Sequence, residues 1–129
     1  MARRFSRPLL EDMRAFAKEA AEFLGNRSDQ EIVEDRIRFL AITRAVEIVG
    51  EAAAQVPAPV QGALDDIDFK AAIGMRHRLI HGYGAIAAPI LADTIRADFP
   101  PLIAALDAAL KGALPDDPPA VGEAAAQPG

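Results

Sequence analysis

Large apolar residues return every three or four positions through most of the chain, the period of helices that bury one face. Leu9, Met13, Phe16, Ala20 and Phe23 step at 4-3-4-3 spacing and predict an amphipathic helix. Ser6, with Pro8 in the first turn, marks its start, and Gly25-Asn26, which tolerate left-handed backbone, mark its end. Ser28 and Glu31 have the form of a capping box and open a second helix. That helix is expected to run to about Val56, where Pro57 and Pro59 stop it. Unbroken, it would be roughly 40 Å long, with Ile37, Leu40, Ala41 and Ile48 on its core face.

Residues 57–67 form a connection containing Pro, Gly and Asp, after which Asp68 can cap a third helix from Phe69 to about His81. Gly82-Tyr83-Gly84 breaks it. A fourth helical region is expected from about Ala88 to Lys111, with Ile90, Leu91, Ile95, Leu102, Leu106 and Leu110 inward. Pro100-Pro101 should kink or divide it. The pattern predicts an all-α antiparallel bundle of four to five helices over residues 1–111. Residues 112–129 read as a disordered Pro/Ala-rich acidic tail.

Composition sharpens this picture. Of 129 residues 28 are Ala, against six Phe, one Tyr and no Trp, which suits closely packed helices and not a sandwich of β-branched and aromatic strands. The absence of Cys excludes disulfides, thiolate nucleophiles and Cys-based metal sites. No apolar run approaches the roughly 20 residues that span a bilayer, and the basic start MARRFSRPLLEDM lacks the apolar core of a signal peptide. A cytoplasmic location, with no membrane contact, is the expectation.

The net charge of −5 argues at first against a polyanionic partner, but the charge is unevenly placed. The tail carries Asp116, Asp117 and Glu123 with no cation, while the 24 residues from Phe69 to Ala92 contain no acid. That window holds Lys70, Arg76, His77, Arg78 and His81, and local field decides how a polyanion docks. It also contains both histidines and the single tyrosine, Tyr83. Arg offers a fixed fork for phosphate oxygens, and His can transfer protons near neutral pH. Arg76, His81 and Tyr83 are therefore candidates for phosphoryl-transfer chemistry that needs neither cofactor nor metal. On one ideal helix Arg76 and His81 lie about 140° apart. Either the last turn reorients at Gly82 and Gly84, or two copies face each other across a two-fold axis. His77 and His81, spaced i, i+4, could also pair on a metal, but no Glu or Asp lies nearby in sequence to complete such a set.

The string Arg76-His-Arg-Leu-Ile-His81-Gly-Tyr83 resembles the Arg-x4-His-x-Tyr motif of the HEPN superfamily. Ile73-Gly74-Met75, the stretch from Arg44 to Ala52, and Gly25-Asn26-Arg27-Ser28 through Asp35-Arg36 resemble its HepT-like branch. The similarity covers roughly residues 7–110. It implies a helical bundle that forms a two-fold homodimer, with two motifs meeting at a cleft. It further implies a metal-independent endoribonuclease toxin, neutralised by a minimal nucleotidyltransferase antitoxin. Carried over, Arg76 would hold the scissile phosphate of an RNA substrate and His81 would act as general base or acid on the 2′-hydroxyl and leaving oxygen. His77, Arg78 and Lys70 would support RNA binding. Tyr83 would be the residue that the antitoxin adenylylates with ATP. The chain departs from many relatives at His77, where Asn is common, at Phe69, where Trp is common, and at Thr43, where Glu is common. The other function class open to this sequence is a non-catalytic HEPN-type module for RNA binding or assembly.

Overall fold

The computed structural model describes residues 6–81 and 87–118; for Ile80, His81 and Ala87 it describes the backbone alone. Seven α-helices make up the described residues, which contain no strand. They are α1 (Ser6–Leu24), α2 (Asp29–Glu34), α3 (Arg36–Gln55), α4 (Ala58–Ala63), α5 (Phe69–His81), α6 (Ala87–Asp93) and α7 (Phe99–Lys111). The expected all-α bundle is thus present. Its centre is α3, which packs against α1 on one side and α5 on the other, and α7 closes the outer side of α1.

Polar contacts set the α1–α7 register. The Arg7 guanidinium donates to the carbonyls of Leu110 (3.2 Å) and Gly112 (3.4 Å), and Arg14 pairs with Asp107 at 3.3 Å. Contacts that step forward on α1 therefore step back on α7, so the two helices are antiparallel. Of the expected disordered tail, residues 112–118 are described and are non-helical. Within them the Asp117 carboxylate accepts from the Ser6 backbone N–H at 3.0 and 3.2 Å and from its hydroxyl. That contact satisfies donors that the first turn of α1 leaves without helical partners. Residues 119–129 lie outside the described residues.

The second predicted helix is corrected. It is two helices, α2 and α3, divided at Asp35. The Ser28–Glu31 capping box opens α2 as expected, with both reciprocal hydrogen bonds formed. One turn later the Asp35 side chain accepts from the Arg38 backbone N–H at 3.1 Å and starts a new helix. An Asp hydrogen-bonding to backbone nearby favours a cap over a helix interior, and the apolar period is blind to this. The buried face of α3 also differs from the expected one. Its core face is Ile42, Ala45, Val46, Val49, Ala52 and Ala53. Ile37 and Leu40, expected inside, are 82% and 49% exposed.

The third predicted helix is α5, with Asp68 accepting from the Ala71 backbone N–H at 2.9 Å. The fourth region is divided, as Pro100-Pro101 demanded. A π-helical segment, Thr94–Asp98, joins α6 to α7, and the Phe99 N–H bonds to the Thr94 carbonyl, five residues back. Two successive prolines remove two donors and crowd the preceding turn, so the helix widens by one residue before resuming. The connection over 57–67 contains α4, which the sequence pattern did not reveal.

Glu31 and Asp35 are held below the ordinary carboxylate range, Glu31 chiefly by the Ser28 backbone N–H and Asp35 chiefly by the Arg38 backbone N–H. Both carboxylates bind protons less readily in the folded chain than in the unfolded one. Their stabilising contribution is full above the unfolded values and is lost as pH falls through the lowered folded ones. A Glu31→Gln, Asp35→Asn variant should therefore lose less melting temperature than the parent between about pH 5 and about pH 3. Circular-dichroism melts check this; an acid slope equal to the parent's contradicts it.

Candidate functional site

Phe69, Ala72, Met75 and Leu79 form the buried row that seats α5 in the bundle. Arg76 stands at the edge of that row and is half-buried. The place where it seats is unusual. Opposite it, in the middle of α3, is Gly50. A Cβ built on Gly50 would lie 2.4 Å from Arg76 Cβ and 2.8 Å from the Ala72 carbonyl oxygen. The two helices thus come closer here than two side chains would permit. The Arg76 Nε is buried, with no hydrogen-bond partner among the described residues.

The other cations of α5 lie elsewhere on the helix. Lys70, His77 and Arg78 are exposed. Lys70 and His77, seven apart, share a stripe, and His81, eleven from Lys70, falls on the same stripe in helical register. The backbone is helical from Arg76 through His81. The last turn therefore does not reorient before His81, and the two register positions keep their separation of about 140° on one helix. The His81 side chain and all of Tyr83 lie outside the described residues. The structure thus places Arg76 at the α3–α5 seam and Lys70, His77 and Arg78 outward, and does not bring Arg76 together with them.

Two further features bear on chemistry. A cavity of about 220 Å³ lies on the inner side of α5, between Val49, Ala72, Met75, Thr94 and Leu102. None of the sequence-predicted residues lines it, so it is separate from the cationic surface. Among the described residues no group of three or more His, Asp or Glu is placed to hold a metal ion, and no helix is long and apolar enough to cross a membrane.

Gly50 is the residue to which sequence reasoning assigned no role, although it sits inside the stretch that carried the resemblance. A signal was present. Glycine inside a helix costs roughly 1 kcal/mol relative to Ala, so a mid-helix Gly followed by Ala52-Ala53-Ala54 points to a close backbone approach.

A helical bundle in which α5 bears the Arg and the His of an Arg-x4-His-x-Tyr string and seats on the neighbouring helix at its Arg fits the HEPN class. Residues 13–109 match the family described as Ribonuclease HepT-like, and the chain belongs to that family. It is 26% identical over 100 residues to "Putative RNase MJ1216" of Methanocaldococcus jannaschii, covering 78% of this chain and 83% of that one. It is 28% identical over 100 residues to "Probable ribonuclease HepT" of Thermococcus cleftensis, covering 78% and 91%. With "Putative RNase TTE0752" of Caldanaerobacter subterraneus it shares 30% over 96 residues, covering 74% and 86%. No solved structure matches the chain significantly.

A buried Nε without a partner among the described residues is a cost that the fold carries at Arg76. Arg76→Met keeps the apolar stem and removes the orphan donor. It should leave stability unchanged or raise it by about 1 kcal/mol. Urea unfolding measures this, and a loss of more than about 1 kcal/mol contradicts it.

Proposed function

We propose that the chain is a metal-independent endoribonuclease toxin that works as a two-fold homodimer in the cytoplasm. The observation that carries the reading is the Arg76 guanidinium, held at a helix seam with a buried donor that no described residue pairs. A group kept at such a cost, in a window without acids, is suited to receive a phosphodiester. Arg76 binds a non-bridging oxygen and stabilises the charge that builds as the phosphorus becomes five-coordinate. His81 takes the proton from the 2′-hydroxyl and hands it on to the departing 5′-oxygen. The 2′-oxygen forms a bond to phosphorus, the P–O5′ bond breaks, and the products are a 2′,3′-cyclic phosphate and a 5′-hydroxyl. No water or metal enters this step. Lys70, His77 and Arg78 draw the flanking phosphates to the outer face of α5.

Register supports the dimer. One unbroken helix cannot aim residues about 140° apart at one phosphorus, whereas α5 of a second copy supplies the missing face. Ile37 and Leu40, exposed on α3, offer apolar surface for the pairing. Tyr83, two residues beyond His81, is the acceptor for ATP-dependent adenylylation by a minimal nucleotidyltransferase antitoxin. An adenylate there adds negative charge and bulk beside Arg76 and excludes RNA.

Antitoxin-free protein should cleave RNA in EDTA and leave cyclic phosphate ends, and His81→Ala should abolish cleavage while the protein stays folded. Gel assays with end-group analysis read both. Equal cleavage by His81→Ala overturns the mechanism, and RNA binding with no cleavage by the wild type selects a non-catalytic RNA-binding module instead.

A further inference from the structure

We infer that Gly50 is a positioning residue for Arg76: its missing side chain sets how deep the Arg76 stem lies against α3 and so where the guanidinium meets the RNA phosphate. The inference rests on the ribonuclease reading above and adds to it a residue outside the motif.

Nothing local requires glycine at this point. The helix α3 runs from Arg36 to Gln55 through Gly50, whose φ is not positive, and Gly25 is the one positive-φ glycine among the described residues. What the absent Cβ makes room for is Arg76 itself. Carbon atoms pack best at about 3.5–4.0 Å, so a Cβ at 2.4 Å from Arg76 Cβ is more than about 1 Å too close. The atoms it meets are the root of a side chain and a backbone carbonyl, not a flexible tip. Relief therefore requires α5 to move as a body. By contrast, Cβ atoms built on Gly62 or Gly74 would meet nothing within 4 Å. The same seam that needs Gly50 also buries Arg76 Nε, with no partner among the described residues. Close approach thus shapes the position of the guanidinium at its base, and the rest of the group is left to bind an anion.

The test compares Gly50→Ala with Gly62→Ala, a control on α4 where an added Cβ would meet nothing within 4 Å. Gly50→Ala should cut cleavage about 100-fold, the cost of roughly 1 Å of misplacement, and Gly62→Ala should cleave like the wild type. A second measurement separates positioning from general damage: affinity for a 2′-O-methyl RNA, which cannot be cleaved. Gly50→Ala should weaken it as much as Arg76→Ala does, and the double variant should bind no worse than Arg76→Ala alone. Additive losses, or wild-type cleavage and binding by Gly50→Ala, overturn the inference. If Gly50→Ala does not fold, adding Arg76→Gly removes the nearer of the two atoms it meets and should recover part of the helical circular-dichroism signal; no recovery overturns the inference. A wild type that neither binds nor cleaves RNA removes the ribonuclease reading together with this one. A wild type that cleaves, beside an equally active Gly50→Ala, removes this one alone.

Discussion

The approach of α5 to α3 at Gly50 is the contact on which the site depends. The buried positions of α3 pack mainly on α1 and on α5, so the depth of the α5 seam bears on how closely the bundle packs. Met75 and Leu79 reach the core because the helix axes come close at this point, and Arg76 is carried into the seam with them. A larger residue at position 50 would lift α5, thin its buried row and return Arg76 Nε to water. Core packing and the placement of the charged group are thus one constraint, applied through a side chain that is not there.

The cationic surface of α5 is compatible with the acidity of the whole Ala-rich chain. The net charge of −5 is a property of the whole chain, whereas α5 presents Lys70, His77 and Arg78 on its outer surface with no acid along its length. Much of the acid elsewhere is engaged in structure: Glu31, Asp35 and Asp68 cap helices, and Asp107 and Asp117 tie α7 and the following segment to α1. With no acid of its own, α5 dominates its own neighbourhood.

Local signals in the sequence were read correctly where their chemistry is local. The Ser28–Glu31 box, the Asp68 cap, the end of α1 at Gly25 and the division at Pro100-Pro101 each depend on a few adjacent residues. The motif window, too, fell on α5 from Phe69 to His81. Asp35 was missed because the apolar period continues across it, and Ile37 and Leu40 then inherited a core face that the new helix turned outward. The Ser6–Asp117 contact joins residues 111 apart and has no local signature. The role of Gly50 was hidden for the same reason: its partner, Arg76, lies on another helix.

The central claim is that Arg76 of one chain works with His81 of another. Mixing inactive Arg76→Ala and His81→Ala proteins under conditions that exchange subunits tests it most directly. If the site is shared across the two-fold axis, half of a random mixture is heterodimer and each heterodimer rebuilds one of two sites, so about a quarter of wild-type cleavage should return. If both groups act within one chain, no mixed species contains an intact site, and a mixture as inactive as its components contradicts the account.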